Sequence, residues 1–136
     1  MNEEIVLTLD FARECLADAN ALLEKSRYNA SVSRSYYAVF HAAKAALLHI
    51  GVESITHQGV NVQFGLHFIK TGIFDKSLIR LFSKLLDTRL KADYEIGFRS
   101  GHDDAVTALQ ESTAFVDAVS VHLYGQENPQ ANKKPQ

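Results

Sequence analysis

The stretch NASVSRSYYAVFHAAKAALLHI, residues 29–50, predicts a long α-helix at the centre of the fold. Its second half is rich in alanine, the residue with the highest helix propensity. These alanines stand at positions 38, 42, 43, 45 and 46. Small side chains let neighbouring helices approach closely, so we expect this helix to be surrounded by others. Asn29 or Ser31 can cap its start, and Gly51 supplies the left-handed residue that often ends a helix.

Apolar residues at steps of three and four predict helices on both sides of the central one. The predicted spans are a first helix over about 7–24, a short third over 60–70 closed by Gly72, a fourth from Asp75 or Ser77 to about Glu95, and a last one from a Ser100 cap to Gly125. Residues 51–59, GVESITHQG, lack this period and predict a loop. We therefore expect an all-α, antiparallel up-and-down bundle of four main helices plus one short helix.

Length and composition limit the possible classes of protein. The chain has 136 residues, of which 46% are hydrophobic and 22% charged, as in a single globular domain. We expect residues 1–125 to form the bundle and the polar, proline-containing residues 126–136 to form a disordered tail. No run of about 18 uncharged apolar residues predicts a membrane span. The acidic start, MNEEIVLTLDFAREC, does not have the pattern of an export signal, so a cytoplasmic location is expected.

Charge and motifs argue against several kinds of function. A formal net charge of −2 gives no overall attraction to nucleic acid, so any contact with RNA must be local. The chain has no Walker-type glycine loop, no HExxH and no CxxC. Its single cysteine, Cys15, is expected to be a small core residue. We therefore predict neither a metal site nor a cofactor.

Polar residues on the central helix suggest a site. Arg34 and His41 are two helical turns apart and share a face with Tyr37. A better apolar stripe runs down the other face, through Tyr36, Phe40, Ala43, Leu47 and Ile50. An imidazole beside a guanidinium that holds an anion suits cleavage of a phosphodiester. The alternative is that both side chains make ordinary packing and surface contacts.

Arg89 interrupts the apolar stripe of the fourth predicted helix. The rest of that stripe is Leu78, Leu81, Phe82, Leu85 and Ala92. A guanidinium in this position needs a partner, and Asp93 lies one turn further on, followed by Tyr94. The segment RLKADY can therefore form a structural ion pair or a cluster that faces a ligand, and both readings stay open. His57, in the predicted loop, could be presented to the same site.

Four segments together resemble the HEPN superfamily, the "higher eukaryotes and prokaryotes nucleotide-binding" helical domains. They are NASVSRSYYAVFHAAKAALL at 29–48, ESITHQGV at 53–60, FIKTGIFDK at 68–76 and RLKADYEIGF at 89–98. The resemblance extends from about Leu7 to Leu123. It implies a helical bundle, usually a homodimer, that is often encoded beside a minimal nucleotidyltransferase as a toxin and antitoxin pair.

In many such relatives the toxin is a metal-independent ribonuclease that uses an arginine and a histidine a few residues apart. Here Arg89 is followed by LKADYEIG, which contains no histidine. Arg34 and His41, with six residues between them, satisfy the spacing but stand on an earlier helix. The resemblance therefore leaves the catalytic roles of Arg34 and His41 as a hypothesis.

We derive three hypotheses from these patterns. In the first, the chain is a dimeric nucleotide- or RNA-binding module that docks a minimal nucleotidyltransferase. In the second, it is a metal-independent ribonuclease with His41 as general acid or base and Arg34 and Arg89 holding the phosphate. In the third, it is a structural interaction bundle. The first two share one set of site residues: Arg34, Tyr37, His41, His57, Arg89, Asp93 and Tyr94.

Overall fold

A computed structural model describes residues 1–127 and contains no β-strand in that range. Its helices are α1 (Glu3–Glu24), α2 (Tyr28–His49), α3 (His57–Phe64), α4 (Lys76–Tyr94) and α5 (His102–Glu127). A π-helical segment, Gly65–Ile69, continues α3. The predicted all-α bundle of four main helices and one short helix is confirmed. The predicted tail lies largely outside the described residues, and its first two residues, 126 and 127, belong to α5.

The alanine-rich helix α2 packs against each of α1, α3, α4 and α5, which confirms its predicted central position. The five alanines of its middle and second half, at positions 38, 42, 43, 45 and 46, are completely buried. Because Ser31 donates to the carbonyl of Ala19 at 2.8 Å, the start of α2 lies beside the end of α1, and the two helices are antiparallel. Tyr28 and His102 contact each other edge-on at 5.6 Å, so α2 and α5 begin at the same end of the bundle.

Phenylalanine rings fill the space between α3, α4 and α5. Phe64 lies 5.3 Å from Phe68, 5.2 Å from Phe115 and 6.3 Å from Phe82, measured between ring centroids. Stacked and tilted arrangements at these distances are favourable beyond the burial of the rings. Phe64 and Phe68 are buried together with Val60, as their spacing predicts. The π-helical segment keeps Phe68 in this cluster after α3 ends.

The ends of the helices follow the predicted glycines in two places and differ elsewhere. Gly51 and Gly72 have φ angles of 75° and 80°, a left-handed conformation that glycine adopts without strain. Asp75 caps α4 by accepting from the backbone N–H of Ser77 at 2.9 Å. The predicted Ser100 cap is wrong. Ser100 instead donates its backbone N–H to the side chain of Asn29 at 2.6 Å, and α5 begins two residues later.

Other boundaries and burials also differ from expectation. Helix α1 begins at Glu3 because the Asn2 side chain accepts from the N–H of Ile5 at 2.9 Å. Helix α5 continues past Gly125, which is buried, so this glycine does not end the helix. Ile50 is 44% exposed and Ala92 is exposed, so the inward stripes of α2 and α4 stop before these residues.

Across residues 1–127, every helix is either too short or too polar to cross a bilayer.

Candidate functional site

Tyr37 lies at the centre of a group of charged and aromatic side chains on α2, α3 and α4. We call Arg34, Tyr37, His41, His57, Arg89 and Asp93 the polar cluster. The Nη2 atom of Arg89 donates to the Tyr37 hydroxyl at 2.7 Å. The guanidinium carbons of Arg34 and Arg89 lie 5.5 and 5.1 Å from the centroid of the Tyr37 ring. These distances are typical of cation–π contacts, so one ring holds two cations from different helices.

Arg89 forms the ion pair that its sequence position suggests and also lines a cavity. Its Nη1 lies 3.6 Å from Asp93 Oδ2, one helical turn away, so the predicted ion pair forms. The side chain is 21% exposed, and its stem lies in the apolar stripe of α4. Arg89 also lines a cavity of about 210 Å³ together with His57. The structural pair and the ligand-facing position therefore coexist in one residue.

Arg34 is directed toward α1. Its Nη2 donates to the sulfur of Cys15 at 3.2 Å and lies 3.6 Å from Asp18 Oδ2. Its Nε is buried without a hydrogen-bond partner among residues 1–127. Cys15 is fully buried, as predicted, and this burial raises the pKa of its thiol. Contacts with α1 thus occupy much of Arg34.

His41 packs between aromatic rings and forms no side-chain hydrogen bond within the described part of the chain. Phe11 contacts it edge-on at 4.6 Å, and Tyr37 stacks on it at 6.4 Å. Burial, helped by the positive charges of Lys44 and Arg34, lowers the pKa of His41 to about 4. The imidazole is therefore uncharged at neutral pH and can accept a proton but not donate one as an acid.

A groove of about 590 Å³ runs between α1 and α2 beside His41. Its lining residues are Glu3, Glu4, Leu7, Thr8, Phe11, His41, Lys44 and Leu48. Neither Arg34 nor Arg89 reaches it, and His41 does not line the cavity that holds Arg89. The geometry therefore brings Arg34, His41 and Arg89 around one ring but not into one cavity.

His57 is the first residue of α3 rather than part of a loop, which corrects the expectation from sequence. The Thr56 hydroxyl caps this helix by accepting from the N–H of Gly59 at 2.9 Å. The imidazole stacks on Phe40 at 4.3 Å, and its Nδ1 lies 2.6 Å from the Tyr36 hydroxyl. Burial, together with the positive charge of Arg89, lowers the pKa of His57.

The sequence did not predict the contact between Tyr36 and His57. It did predict a site role for Tyr94, which lies apart from the polar cluster. Tyr36 was expected only to pack, yet its hydroxyl is a direct partner of His57. A tyrosine at a core position was the available signal, because a buried hydroxyl requires a hydrogen-bond partner. Tyr94 is 81% exposed and makes no side-chain hydrogen bond among residues 1–127, so it is not part of the network around Arg89.

A larger, partly open cavity of about 420 Å³ lies between α4 and α5 and away from the polar cluster. Three carboxylates line it, from Asp103, Asp104 and Glu111, against the cations of Lys84 and Arg99. Arg99 donates to the backbone carbonyls of residues 96 and 98, so its guanidinium holds the α4–α5 loop. This excess of negative charge makes the cavity a poor site for phosphate.

Within residues 1–127, no three side chains of His, Cys, Asp or Glu are grouped in a way that could hold a metal ion. The polar cluster itself offers guanidinium, imidazole and phenol groups together with the carboxylate of Asp93. The first three bind anions and transfer protons. The fold and this cluster define the class: an all-α bundle whose central helix carries an arginine, histidine and tyrosine site.

Comparison with known proteins identifies the family. A family model described as the HEPN domain matches residues 6–122. The chain is 35% identical over 123 residues to "Putative toxin MJ0605" of Methanocaldococcus jannaschii, covering 90% of this chain and 91% of that protein. It is 33% identical over 108 residues to a UPF0332 protein of Thermotoga maritima, covering 79% and 82% of the two chains. A UPF0332 protein of Pyrococcus horikoshii is 38% identical over 98 residues, covering 72% and 66%.

The chain belongs to the HEPN domain family, as the resemblance in its sequence indicates.

Proposed function

We propose that this HEPN protein binds RNA or nucleotides through their phosphate groups at the polar cluster. The observation that carries the proposal is the position of Arg34 and Arg89. Their guanidinium carbons lie 5.5 and 5.1 Å from the same ring centroid, that of Tyr37. Guanidinium groups remain charged at all physiological pH values and suit the geometry of phosphate. Such a local pair offers attraction to phosphate despite the net charge of −2.

The acidic partners of these arginines leave donors available. Asp18 and Asp93 each lie 3.6 Å from the nearest guanidinium nitrogen, beyond the usual range of a direct hydrogen bond. A guanidinium has five N–H groups, so an incoming phosphate oxygen can still be bound. The uncharged histidines of the cluster add polar groups without adding charge.

Titration of labelled RNA and of a mononucleotide by fluorescence anisotropy tests the proposal. We expect Arg89→Gln to weaken binding by about tenfold, the effect of losing one charge-assisted contact. Arg80→Gln is the matched control, because Arg80 is exposed on the same helix. Affinity should also fall as salt rises. Equal affinities for the two variants, or binding that does not respond to salt, would contradict a phosphate site at the cluster.

A second candidate function is metal-independent cleavage of RNA, which is favoured by the cavity that His57 and Arg89 share. In this reaction the 2′-oxygen forms a bond to the adjacent phosphorus, and its proton passes to a base. The 5′-oxygen leaves and takes up a proton, giving a 2′,3′-cyclic phosphate and a 5′-hydroxyl. An uncharged imidazole can take up the proton of the 2′-hydroxyl and, as the imidazolium so formed, can pass it to the leaving 5′-oxygen, while arginine stabilises the developing negative charge.

Incubation of purified protein with RNA in excess chelator tests this candidate. The variants His41→Ala and Arg34→Ala examine the pair predicted from the sequence, and His57→Ala with Arg89→Gln examines the pair that shares a cavity. Loss of the cyclic-phosphate product in one pair and not the other assigns the roles. Absence of cleavage by the wild-type protein contradicts the enzyme hypothesis. Absence of both cleavage and binding favours the structural interaction bundle.

The proposal includes self-association and a role in a toxin and antitoxin pair. The wider role is supported by the Methanocaldococcus jannaschii relative, whose name includes the word toxin. Leu7 and Phe11, 59% and 40% exposed, lie beside the α1–α2 groove and offer an apolar surface to a second copy. Light scattering should give the mass of a dimer for the wild type and of a monomer for Leu7→Glu. Val121→Glu, at an apolar residue 67% exposed on α5, is the control.

A minimal nucleotidyltransferase is the proposed protein partner, as the family resemblance implies. Size-exclusion chromatography of the two purified proteins, alone and mixed, tests it. We expect the mixture to elute earlier than either protein. Separate elution at micromolar concentration would contradict a stable complex.

A further inference from the structure

The contact between Tyr36 and His57 joins the core of the bundle to the polar cluster. Tyr36 is completely buried, with its ring 6.3 Å from Phe40 and 6.2 Å from Phe82. Its hydroxyl lies 2.6 Å from Nδ1 of His57, the single hydrogen-bond partner that it has among residues 1–127. Because Phe40 also stacks on the imidazole at 4.3 Å, the ring of His57 is fixed in both position and orientation.

The direction of this hydrogen bond follows from what surrounds it. A buried hydroxyl hydrogen needs an acceptor, and Nδ1 of His57 is the acceptor within reach. The nearby Arg89 guanidinium, 5.6 Å from the Tyr36 ring centroid, carries donors alone and cannot serve. Tyr36 therefore donates and Nδ1 accepts. In an uncharged imidazole this places the ring proton on Nε2.

The charge state of His57 agrees with this assignment. Burial and the positive charge of Arg89 both lower the pKa of His57. The ring is thus uncharged at neutral pH, with one N–H group and one acceptor nitrogen. Since Tyr36 occupies the acceptor, Nε2–H is the group left for a ligand.

We propose that Tyr36 is a positioning residue that holds His57 as the Nε2–H tautomer, so that His57 and Arg89 donate together to one phosphate oxyanion. This inference rests on the proposed function, since it names the subsite at which the phosphate group is held. The subsite is the cavity of about 210 Å³ lined by both residues.

The composition of this cavity suits an oxyanion. Its other lining residues are Thr56, Gln58, Leu86 and Leu90, none of which is acidic. The two leucines form an apolar wall, and hydrogen bonds to an anion are stronger where water is partly excluded. Arg89 donates one Nη2 hydrogen to Tyr37 and keeps others for a ligand. The cavity can hold a phosphate group together with water.

Nitrogen NMR of the imidazoles in the ligand-free protein tests the tautomer directly. The chemical shifts of Nδ1 and Nε2 differ strongly between the two tautomers, and His57→Gln identifies the signals of His57. We expect the wild type to show Nε2–H for His57. In Tyr36→Phe, which keeps the buried ring, we expect a mixture of tautomers. An Nδ1–H pattern in the wild type overturns the inference, and this measurement alone decides it if Tyr36→Phe does not fold.

Titration with inorganic phosphate, followed by isothermal titration calorimetry in every variant, tests the donor role. We expect Tyr36→Phe to weaken phosphate binding by about fivefold, as expected for a donor that is no longer held in place. Gln at position 57 keeps an N–H donor near the place of Nε2, so His57→Gln should bind phosphate and should not respond to a further Tyr36→Phe change. Equal phosphate affinity in the wild type and a folded Tyr36→Phe variant overturns the positioning role.

The two proposals fail in different ways. If RNA binding depends on Arg34 and Arg89 but not on Tyr36 or His57, the proposed function stands and this inference fails. If the wild type binds neither RNA nor phosphate, the proposed function fails and the phosphate subsite fails with it. The tautomer of His57 in the free protein is then still decided by its own NMR signals.

Discussion

His41 on α2 and His57 at the start of α3 pack against the same phenylalanine, yet the fold holds the two imidazoles differently. Phe40 stacks on His57 with centroids 4.3 Å apart and contacts His41 edge-on at 5.1 Å. His57 is bonded through Nδ1 to the Tyr36 hydroxyl. His41 has ring contacts and no side-chain hydrogen bond within residues 1–127, and the cations Lys44 and Arg34 help to lower its pKa.

The comparison separates two effects: burial lowers the pKa of a histidine, whereas a hydrogen-bond partner decides which ring nitrogen carries the proton. Burial lowers the pKa of both histidines, so both are uncharged at neutral pH. The position of the remaining ring proton depends on a specific hydrogen-bond partner, and of these two histidines His57 has one within residues 1–127 while His41 has none. Two partly buried histidines therefore offer different chemistry: His57 presents a defined donor, whereas either nitrogen of His41 can carry the proton.

Removal of the ring that both histidines share should have the largest effect. Phe40 is 6% exposed, and Phe40→Ala should lower the free energy of unfolding by about 3 to 5 kcal/mol through loss of burial and formation of a cavity. Urea unfolding measures this loss. Phe11→Ala is the control, since Phe11 is 40% exposed and, of the two histidines, its ring contacts His41 and not His57. A loss below about 1 kcal/mol for Phe40→Ala would contradict its place in the core.

Acidification should destabilise the protein through its buried histidines. Burial lowers the pKa values of His41, His57 and His122, so the unfolded chain takes up protons near the ordinary pKa while the folded chain does not. Stability is then full above about pH 6.5 and falls as the pH drops toward the folded pKa values. The pKa of Asp75 is lowered from an ordinary 3.8, so its contribution to stability is lost at lower pH values than that of the histidines.

The contribution of His41 to this slope should be about 1 kcal/mol between pH 7 and pH 5, after allowance for its partial exposure. Urea unfolding at the two pH values compares the wild type with His41→Gln. The cations and histidine that face His41, namely Lys44, Arg34 and His57, remain in both proteins. Equal losses in the two proteins would show that His41 is not the group responsible.

A substitution at the start of α3 should disturb His57 and leave His41 unchanged. A Cβ atom at Gly59 would lie 2.6 Å from the Thr56 hydroxyl and 2.4 Å from that of Ser54. Gly59→Ala therefore displaces the Thr56 side chain that caps the helix, which costs about 1 kcal/mol. The higher helix propensity of alanine offsets part of this cost. We expect a net loss of about 0.5 kcal/mol and a shift of the His57 NMR signals.

Gly97→Ala provides the comparison, because a Cβ at Gly97 meets nothing within 4 Å. This variant should leave both stability and His57 unaltered. Movement of the His41 signals in Gly59→Ala would contradict the separation of the two histidines.

The ion pair beside Arg89 should have the smallest effect on stability. The Asp93 side chain is 48% exposed, so Asp93→Asn should cost about 0.3 kcal/mol. It should also strengthen RNA binding slightly, because a negative charge leaves the neighbourhood of Arg89. Asp87→Asn removes an equally spaced pair with Lys91 on the same helix. If both variants change RNA affinity equally, the effect is one of overall charge rather than of the site.

The helices could be predicted from the sequence because their signals are local. The apolar spacing of Val60, Phe64 and Phe68 and the left-handed Gly51 and Gly72 each depend on a few neighbouring residues. The Ser100 cap failed because Asn29, 71 residues away, takes the backbone N–H of Ser100. A local rule cannot anticipate a partner that distant.

The candidate site was predictable in part for the same reason. The pair of Arg89 and Asp93 is one helical turn apart and could be read directly from the sequence. Tyr36 and His57 are 21 residues apart, and Arg34 meets Cys15 across 19 residues, so these contacts depend on how the helices pack. No neighbour in the sequence identifies a partner for His57, but in the fold Tyr36 bonds to it.

The five buried alanines of α2 make the tolerance of the molecule to mutation asymmetric. Replacement of one of them by glycine removes a single methyl group, so it costs mainly helix propensity, about 1 kcal/mol, and opens no large cavity. Any larger side chain must push α1 or another neighbour outward, at a typical cost of about 1 to 3 kcal/mol. Substitutions that the fold tolerates are therefore expected on the less buried face of the central helix, where Arg34, Tyr37 and His41 lie.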